Sequence, residues 1–203
     1  MHARLWSAAA VLIALAGCGS KSPSADAPAV ETTPVMPGDG EPQADGADEA
    51  PALATPPFTL DQIRAATRPG RTYRFAMHQG EQKLNVTMRF TEVTDQGATI
   101  ERSVVDADGN TLDQGTEETT WEQLVDHASY PADATVITET KVQVPAGEFD
   151  VLLYTITTEQ DGNPVVSRMY FAASLPGAPI KAELTIGDQP MFTMELIEHI
   201  PGA

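Results

Sequence analysis

One residue near the start of the chain has the chemistry and the setting of a covalent modification site. Cys18 is the only cysteine among 203 residues, and it directly follows Leu15, Ala16 and Gly17. A lone cysteine forms no internal disulfide, and its thiol is a nucleophile that can be covalently modified. Cys18 is therefore the first candidate site.

The residues before Cys18 have the layout of a secretory signal. Arg4 precedes an apolar run over residues 5–15, which as a helix would reach roughly 16 Å, about half of a bilayer core. The run ends in Leu15-Ala16-Gly17-Cys18, which resembles the lipobox of bacterial lipoproteins. The resemblance implies a signal peptide over residues 1–17, lipid transfer to the Cys18 thiol and cleavage after Gly17. The alternative is an ordinary signal peptide with a chance cysteine.

The residue after the cysteine bears on which membrane of the cell envelope the protein is anchored in. In Gram-negative lipoproteins an aspartate there is associated with retention in the inner membrane, whereas this chain has Gly19. By analogy we expect a lipid-anchored protein of the outer membrane, facing the periplasm or the outside.

Residue types that serve catalysis or metal binding are scattered in the rest of the chain. His78, His127 and His199 show no metal-ligand spacing and are expected at the surface. The segment 106–110 (DADGN) is similar to the start of a calcium loop, but its glycine comes fourth instead of sixth, which favours a hairpin turn. No nucleophile elbow, zinc-binding helix or phosphate-binding loop occurs. We therefore predict a protein that is not an enzyme, with no metal and no cofactor.

The charge of the chain argues against nucleic acid as a partner. The formal net charge is −17, and residues 58–203 contain 10 basic and 22 acidic side chains. An acidic surface of this kind repels phosphate backbones.

Composition separates a tether from a folded domain. Residues 18–57 are rich in Ala, Pro, Gly and acidic residues and contain no aromatic side chain. Such a segment cannot bury enough apolar surface to offset its ordering entropy, so we expect a disordered linker with a reach of about 35 Å. Residues 58–203 then form one domain.

Two helices are predicted in this domain from their capping patterns. Thr59 with Gln62 three residues later predicts a helix that ends at residues 68–70, where Pro and Gly follow Arg. Thr119 or Thr120 predicts the start of a second helix, which we expect to end at Pro131.

The remaining domain alternates apolar and polar residues with a period of two. The clearest case is Leu84, Val86, Met88 and Phe90, and turn residues separate this run from similar ones. The pattern predicts a mainly β fold: a curved antiparallel sheet, or half-barrel, of about eight or nine strands with two helices on its apolar face. A closed barrel is the alternative.

A second resemblance concerns residues 136–200. The segment 144–150 (VPAGEFD), followed by 169–172 (MYFA) and 175–181 (LPGAPIK), resembles a hairpin turn, a strand and a proline loop of uncharacterised bacterial envelope proteins. The resemblance implies a half-barrel broadly similar to periplasmic lipoprotein carriers. The shared motif is a turn and carries no chemistry.

Methionines in phase with the apolar face give the one ligand hypothesis. Met77, Met88, Met169 and Met194 would line a groove if the sheet leaves one, and methionine adapts to varied apolar ligands. The domain would then bind an acyl chain or another apolar ligand, while Cys18 binds the membrane. Ordinary core packing of the methionines is one alternative. The other is an interaction or structural module that presents an acidic surface to envelope proteins.

Overall fold

The computed structural model describes residues 52–203. Cys18, the signal sequence and the tether as far as residue 51 lie outside the described residues. The elements in chain order are α1 (Leu60–Ala66), β1 (Thr72–Gln79), β2 (Gln82–Val93), β3 (Gly97–Asp106), β4 (Thr111–Thr120), α2 (Trp121–Asp126), β5 (Thr135–Val144), β6 (Gly147–Gln160), β7 (Asn163–Ala172), β8 (Lys181–Ile186) and β9 (Gln189–Ile200).

Both helices start where the capping patterns predict. Thr59 caps α1 and Thr120 caps α2, and in each case the side-chain oxygen of the glutamine at the third helical position accepts a hydrogen bond from the backbone amide of the cap residue. The predicted end of α2 at Pro131 is wrong. The helix ends at Asp126 because the following amides turn to carbonyls three residues back, as Ser129 does to Asp126. Within residues 52–203, neither helix has the length or apolarity to span a bilayer.

The nine strands form one antiparallel sheet, which confirms the predicted fold class. The strand order is β4-β3-β2-β1-β9-β8-β7-β6-β5, so β4 and β5 are the two edges and the sheet is open. Two-residue turns join β1 to β2, β5 to β6, β6 to β7 and β8 to β9. Gly80 and Gly162 take the positive φ values of 58° and 76° that such turns require. The sheet is continuous because β1 pairs with β9, which joins the first four strands to the last five.

One face of the sheet carries the core, and we call it the inner face. Phe171 on β7 contacts Phe58, which precedes α1, with ring centroids 6.1 Å apart. Tyr154 on β6 contacts Tyr130, which follows α2, at 5.9 Å. The hydroxyl of Tyr154 donates to the carbonyl of Thr55 over 2.7 Å. The segments that flank the helices therefore cover part of the inner face.

The folded chain begins before the helix. Residues 52–57, which composition assigns to the tether, contact the domain. The amide of Ala54 donates to the Tyr130 carbonyl over 2.8 Å, and the amide of Ala132 donates to the Ala52 carbonyl over 2.8 Å. These hydrogen bonds join backbone groups, which nearly all residues share, so amino-acid composition does not predict them.

The VPAG turn lies between β5 and β6. The amide of Ala146 donates to the carbonyl of Leu196 on β9 over 3.1 Å, and Val144 is only 2% exposed. Gly147 has φ 140°, a value that disfavours other residues. The motif therefore fastens the β5–β6 hairpin to β9 and is a structural feature of the domain.

Candidate functional site

The four candidate methionines all lie on the inner face. Met77 on β1 is the register partner of Met194 on β9, which also pairs with Ala182 on β8. Ala182 in turn pairs with Met169 on β7. Because direct cross-strand partners share a face of the sheet, these side chains form one lateral line. We call this line, with its flanking partners, the methionine row: Leu84, Met77, Met194, Ala182, Met169 and Tyr154.

Burial changes along the methionine row. Met169 is 6% exposed and Ala182 is fully buried, so this part of the row is packed core. Met77, Met194 and Leu84 are only half-buried. The fourth candidate, Met88, pairs with Tyr73 outside the row and is 9% exposed. The structure therefore brings together Met77 and Met194 as accessible residues and places Met88 and Met169 in the core.

The accessible part of the row has apolar neighbours. Val86 on β2, Phe192 on β9 and Ile186 on β8 are half-buried. Leu184, the register partner of Phe192, is 9% exposed. An apolar group could bind to this patch because binding would remove apolar surface from water.

An ion pair lies on the β3–β4 side of the inner face. Arg102 is the register partner of Met88, and its guanidinium donates to the carboxylate of Asp113 on β4 over 2.9 Å. The Arg102 side chain is 27% exposed. Asp113 already neutralises the charge of Arg102. The apolar surface therefore ends at this ion pair on the β3–β4 side.

A separate open depression of about 420 Å³ lies on the β5–β6 hairpin. Its walls are formed by Glu139, Thr140, Lys141, Asp150, Val151, Leu152 and Ala173. None of the candidate methionines contributes to it.

The most buried cation of the domain is Arg71. Arg71 is 2% exposed and forms no ion pair in the described part of the chain. Its guanidinium donates to the carbonyl of Pro176 over 2.9 Å and to Nε2 of His199 over 3.2 Å. It also lies 4.8 Å from the ring centroid of Tyr73. The Arg71–His199 clamp, as we call this group, joins β9, the residue that precedes β1 and the loop before β8.

The pKa values of two residues in the clamp are shifted from their usual values. Burial, followed by the charge of Arg71, lowers the pKa of His199 below its usual 6.5. Burial also raises the pKa of Tyr73 to about 12. His199 accepts a hydrogen bond from Arg71, so its Nε2 must be unprotonated. His199 is half-buried instead of lying freely at the surface as predicted.

The other candidate polar sites are accounted for locally. The Asp106 carboxylate accepts hydrogen bonds from the side chain of Asn110 and from the amides of Asn110 and Asp108, which lower its pKa. The segment 106–110 is thus a hairpin turn, as predicted. His78 is exposed, and the His127 ring contacts the carbonyl of Gln123. Residues 52–203 contain no group of three side chains suited to hold a metal.

Comparison with known proteins gives structural similarity only. No protein-family profile matches the sequence, and no curated protein matches it. A solved structure described as an exported protein with a YmcC-like fold, from Bacteroides fragilis, is 11% identical with a TM-score of 0.45 and covers 66% of this chain and 97% of that chain. One described as a lipoprotein, from Parabacteroides distasonis, is 10% identical with a TM-score of 0.44 and covers 66% and 96%.

A third similar structure is the MucA/MucB complex of Pseudomonas aeruginosa. It is 12% identical with a TM-score of 0.45 and covers 70% of this chain. The present chain spans 55% of that chain. At these identities and TM-scores the similarities support no assignment of function.

Proposed function

We propose that this protein is a non-enzymatic lipoprotein of the cell envelope whose β-domain binds an acyl chain or another apolar ligand. Lipid on Cys18 anchors it, and Gly19 favours the outer membrane. The acidic tether, with a reach of about 35 Å, holds the domain away from the bilayer surface. The proposal for the anchor rests on the sequence Leu15-Ala16-Gly17-Cys18.

The observation that carries the ligand proposal is the half-buried end of the methionine row. Met77 and Met194 are direct neighbours on adjacent strands, and both remain partly accessible, whereas Met169 and Ala182 of the same row are buried. Burying each methylene of a ligand there is worth about 0.8 kcal/mol. Methionine side chains are flexible and polarizable, so this surface suits a chain of variable shape.

Native mass spectrometry and displacement of a fluorescent fatty acid test the ligand site. We expect the protein to retain lipid through purification and to bind the fluorescent fatty acid. A protein of clean mass that fails to bind it would contradict the proposal.

Substitutions locate the binding surface. Met194→Gln and Met77→Gln place an amide in the apolar patch and should weaken binding roughly tenfold, which corresponds to about 1.4 kcal/mol. Met191→Gln is the matched control, because Met191 lies on the same strand β9 but is 42% exposed and outside the row. Equal loss in all three variants, or no loss in any, would place the ligand elsewhere.

The anchor has its own test. Cells that express the full chain and are fed radioactive palmitate should label it, and Cys18→Ser should abolish both the label and the association with membranes. A labelled Cys18→Ser protein would disprove the assignment of Cys18.

A second candidate function is an acidic interaction module, which the edge strand β4 favours. Its residues Asp113 and Glu118 are exposed, and Glu117 is half-buried. A pull-down from envelope extract should then capture partners at low salt and lose them at high salt. Absence of any partner above background at low salt would count against this function.

A further inference from the structure

The edge strand β5 lacks most features that keep sheet edges from pairing. Its ten register pairs with β6 run from Thr135 to Val144 without a bulge. Residues 136–141 are all exposed, with Val136 at 63% and Ile137 at 38%. A long, regular edge with apolar side chains is a template for another strand, which proteins usually block with bulges, proline or charges.

The opposite edge of the sheet is protected in this way. The pairing of β3 with β4 contains a register shift between Val104 and Val105. In addition, β4 carries Asp113, Glu117 and Glu118. Of the two edges, β5 is therefore the one that is open to another strand.

The phase of the β5–β6 pairing shows which backbone groups face outward. The amide of Thr157 donates to the carbonyl of Ala134 over 2.9 Å, which extends the ladder by one position. Because bonded pairs alternate along an antiparallel ladder, even-numbered residues of β5 bond to β6. The amides and carbonyls of residues 137, 139, 141 and 143 therefore point away from the sheet and are available to a partner strand.

The charges of β5 match a second copy of itself in one register. If a two-fold axis passes through Thr140, Glu139 lies opposite Lys141 of the other copy, and Lys141 lies opposite its Glu139. Both residues belong to the outward-bonding set, so the charged pairs coincide with hydrogen-bonded pairs. The ladder then runs over residues 136–144.

Pairing of the two strands about an axis through a neighbouring residue gives less favourable charge contacts. An axis through Glu139 or Lys141 places like charges directly opposite each other, which is destabilising. An axis through Thr138 or Val142 leaves Glu139 unmatched to Lys141, because each then lies opposite an uncharged residue of the other copy. Glu139 forms no ion pair within the described residues, whereas Lys141 lies 3.4 Å from Asp150.

We propose that β5 pairs with β5 of a second copy, antiparallel about an axis through Thr140, to join the two sheets into one. Each copy uses the one unprotected edge of its described sheet, so the assembly closes at two chains. The axis stands perpendicular to the joined sheet, so both inner faces lie on the same side. The second copy is favoured over the tether as occupant because the tether is interrupted by prolines and has only Lys21 to place opposite Glu139.

Cysteine crosslinking in membranes of cells expressing the full chain tests the axis. Residue 140 would face its own copy as a non-bonded pair with Cα atoms about 4.5 Å apart, within disulfide range. Thr140→Cys should therefore give a disulfide-linked pair of identical chains under mild oxidation. Thr138→Cys is the matched control: the same residue type on the same strand and face, but about 14 Å from its copy. Thr116→Cys on β4 and the parent chain with Cys18 alone complete the controls.

Charge exchange tests the register. In the Thr140→Cys background, Glu139→Lys should lower the crosslink yield about fivefold. The substitution places a lysine opposite Lys141 of the other copy in each of the two 139–141 pairs, and like charges directly opposite each other are destabilising. Lys141→Glu should do the same, and the double exchange should restore the yield. Lys141 also lies near Asp150, so its substitution could affect the fold itself. Thermal melting of each variant therefore checks that the fold is retained.

The results that would overturn the proposal are distinct. Equal crosslinking of the Thr138, Thr140 and Thr116 variants indicates random collision, and failure of the Thr140 variant to crosslink excludes this axis. A crosslink from position 140 to a different protein, in place of the pair of identical chains, would overturn the proposal in favour of another occupant of the edge. A double exchange that fails to recover, with all variants folded, would exclude the register.

Discussion

At the scale of single residues, the Arg71–His199 clamp is the polar feature with the clearest consequence. A buried guanidinium without a carboxylate partner is costly unless its donors are satisfied. Arg71 meets this requirement with Pro176, Thr67 and a neutral His199. The aromatic ring of Tyr73 lies 5.0 Å from the imidazole. Protonation of His199 would remove an acceptor and place two cations side by side.

The clamp predicts a pH dependence of stability. The pKa of His199 is lower in the folded chain than its unfolded value of 6.5, so the unfolded chain binds more protons between these two values. The free energy of unfolding should therefore be fully retained above pH 6.5 and fall as the pH decreases from 6.5 through the folded pKa. Urea unfolding between pH 7.5 and 5.5 measures it. His199→Gln keeps an acceptor but cannot titrate, so its stability should change less over this range; identical profiles would exclude His199 as the source.

At the scale of elements, the two capping boxes show how short helices persist in a β-rich domain. Helices of six or seven residues are unstable in isolation. Their capping side chains satisfy the first amides, and packing supplies the rest. In α2, Trp121 is 2% exposed, and its indole nitrogen donates to the carbonyls of Thr94 and Asp95. The cap and the tryptophan therefore fasten α2 to the turn between β2 and β3.

Removal of the α2 cap should lower stability by a modest amount. Thr120→Ala deletes the acceptor for the amide of Gln123, and we expect a loss of about 1 kcal/mol in the free energy of unfolding. Trp121 fluorescence during urea unfolding reports it. Thr116→Ala, an exposed threonine on β4, should change stability by only a few tenths of a kcal/mol, within about 0.5 kcal/mol of the parent. If Thr120→Ala lowers the free energy of unfolding no more than Thr116→Ala does, the cap contributes nothing to stability.

At the scale of the whole molecule, the sheet is covered unevenly. The flanking segments of the helices contact the strands around Phe171 and Tyr154, while the strands around Met77 and Met194 remain partly accessible. A sheet that packed a complete core would bury the whole methionine row. The uneven coverage separates Met169, which is part of the core, from Met77 and Met194, which stay accessible to the proposed ligand.

This division predicts different costs for the same substitution along one row. Met169→Ala should destabilise the domain by about 2–5 kcal/mol, as expected for a buried site, whereas Met77→Ala and Met194→Ala should cost less than half as much because water already reaches them. Denaturant unfolding of the three variants measures this. Equal costs would show that the row is core along its whole length and would remove the basis of the ligand site.

The sequence by itself determined the features that depend on neighbouring residues. The helix starts at Thr59 and Thr120 follow from a side chain that bonds three residues ahead, and the strands follow from alternation with a period of two. The resemblance of residues 15–18 to a lipobox likewise depends on a contiguous segment. The fold class could be predicted because these local signals agree with one another.

Only the tertiary structure decided which distant groups meet. Arg71 and His199 are 128 positions apart, and no local pattern marks them as partners. The strand order, which makes β4 and β5 the edges, depends on the pairing of β1 with β9. The same pairing brings Met77 beside Met194. Long-range strand pairing and helix coverage are set by packing of the whole domain, so the sequence indicated apolar methionines while the fold decided which of them stay accessible.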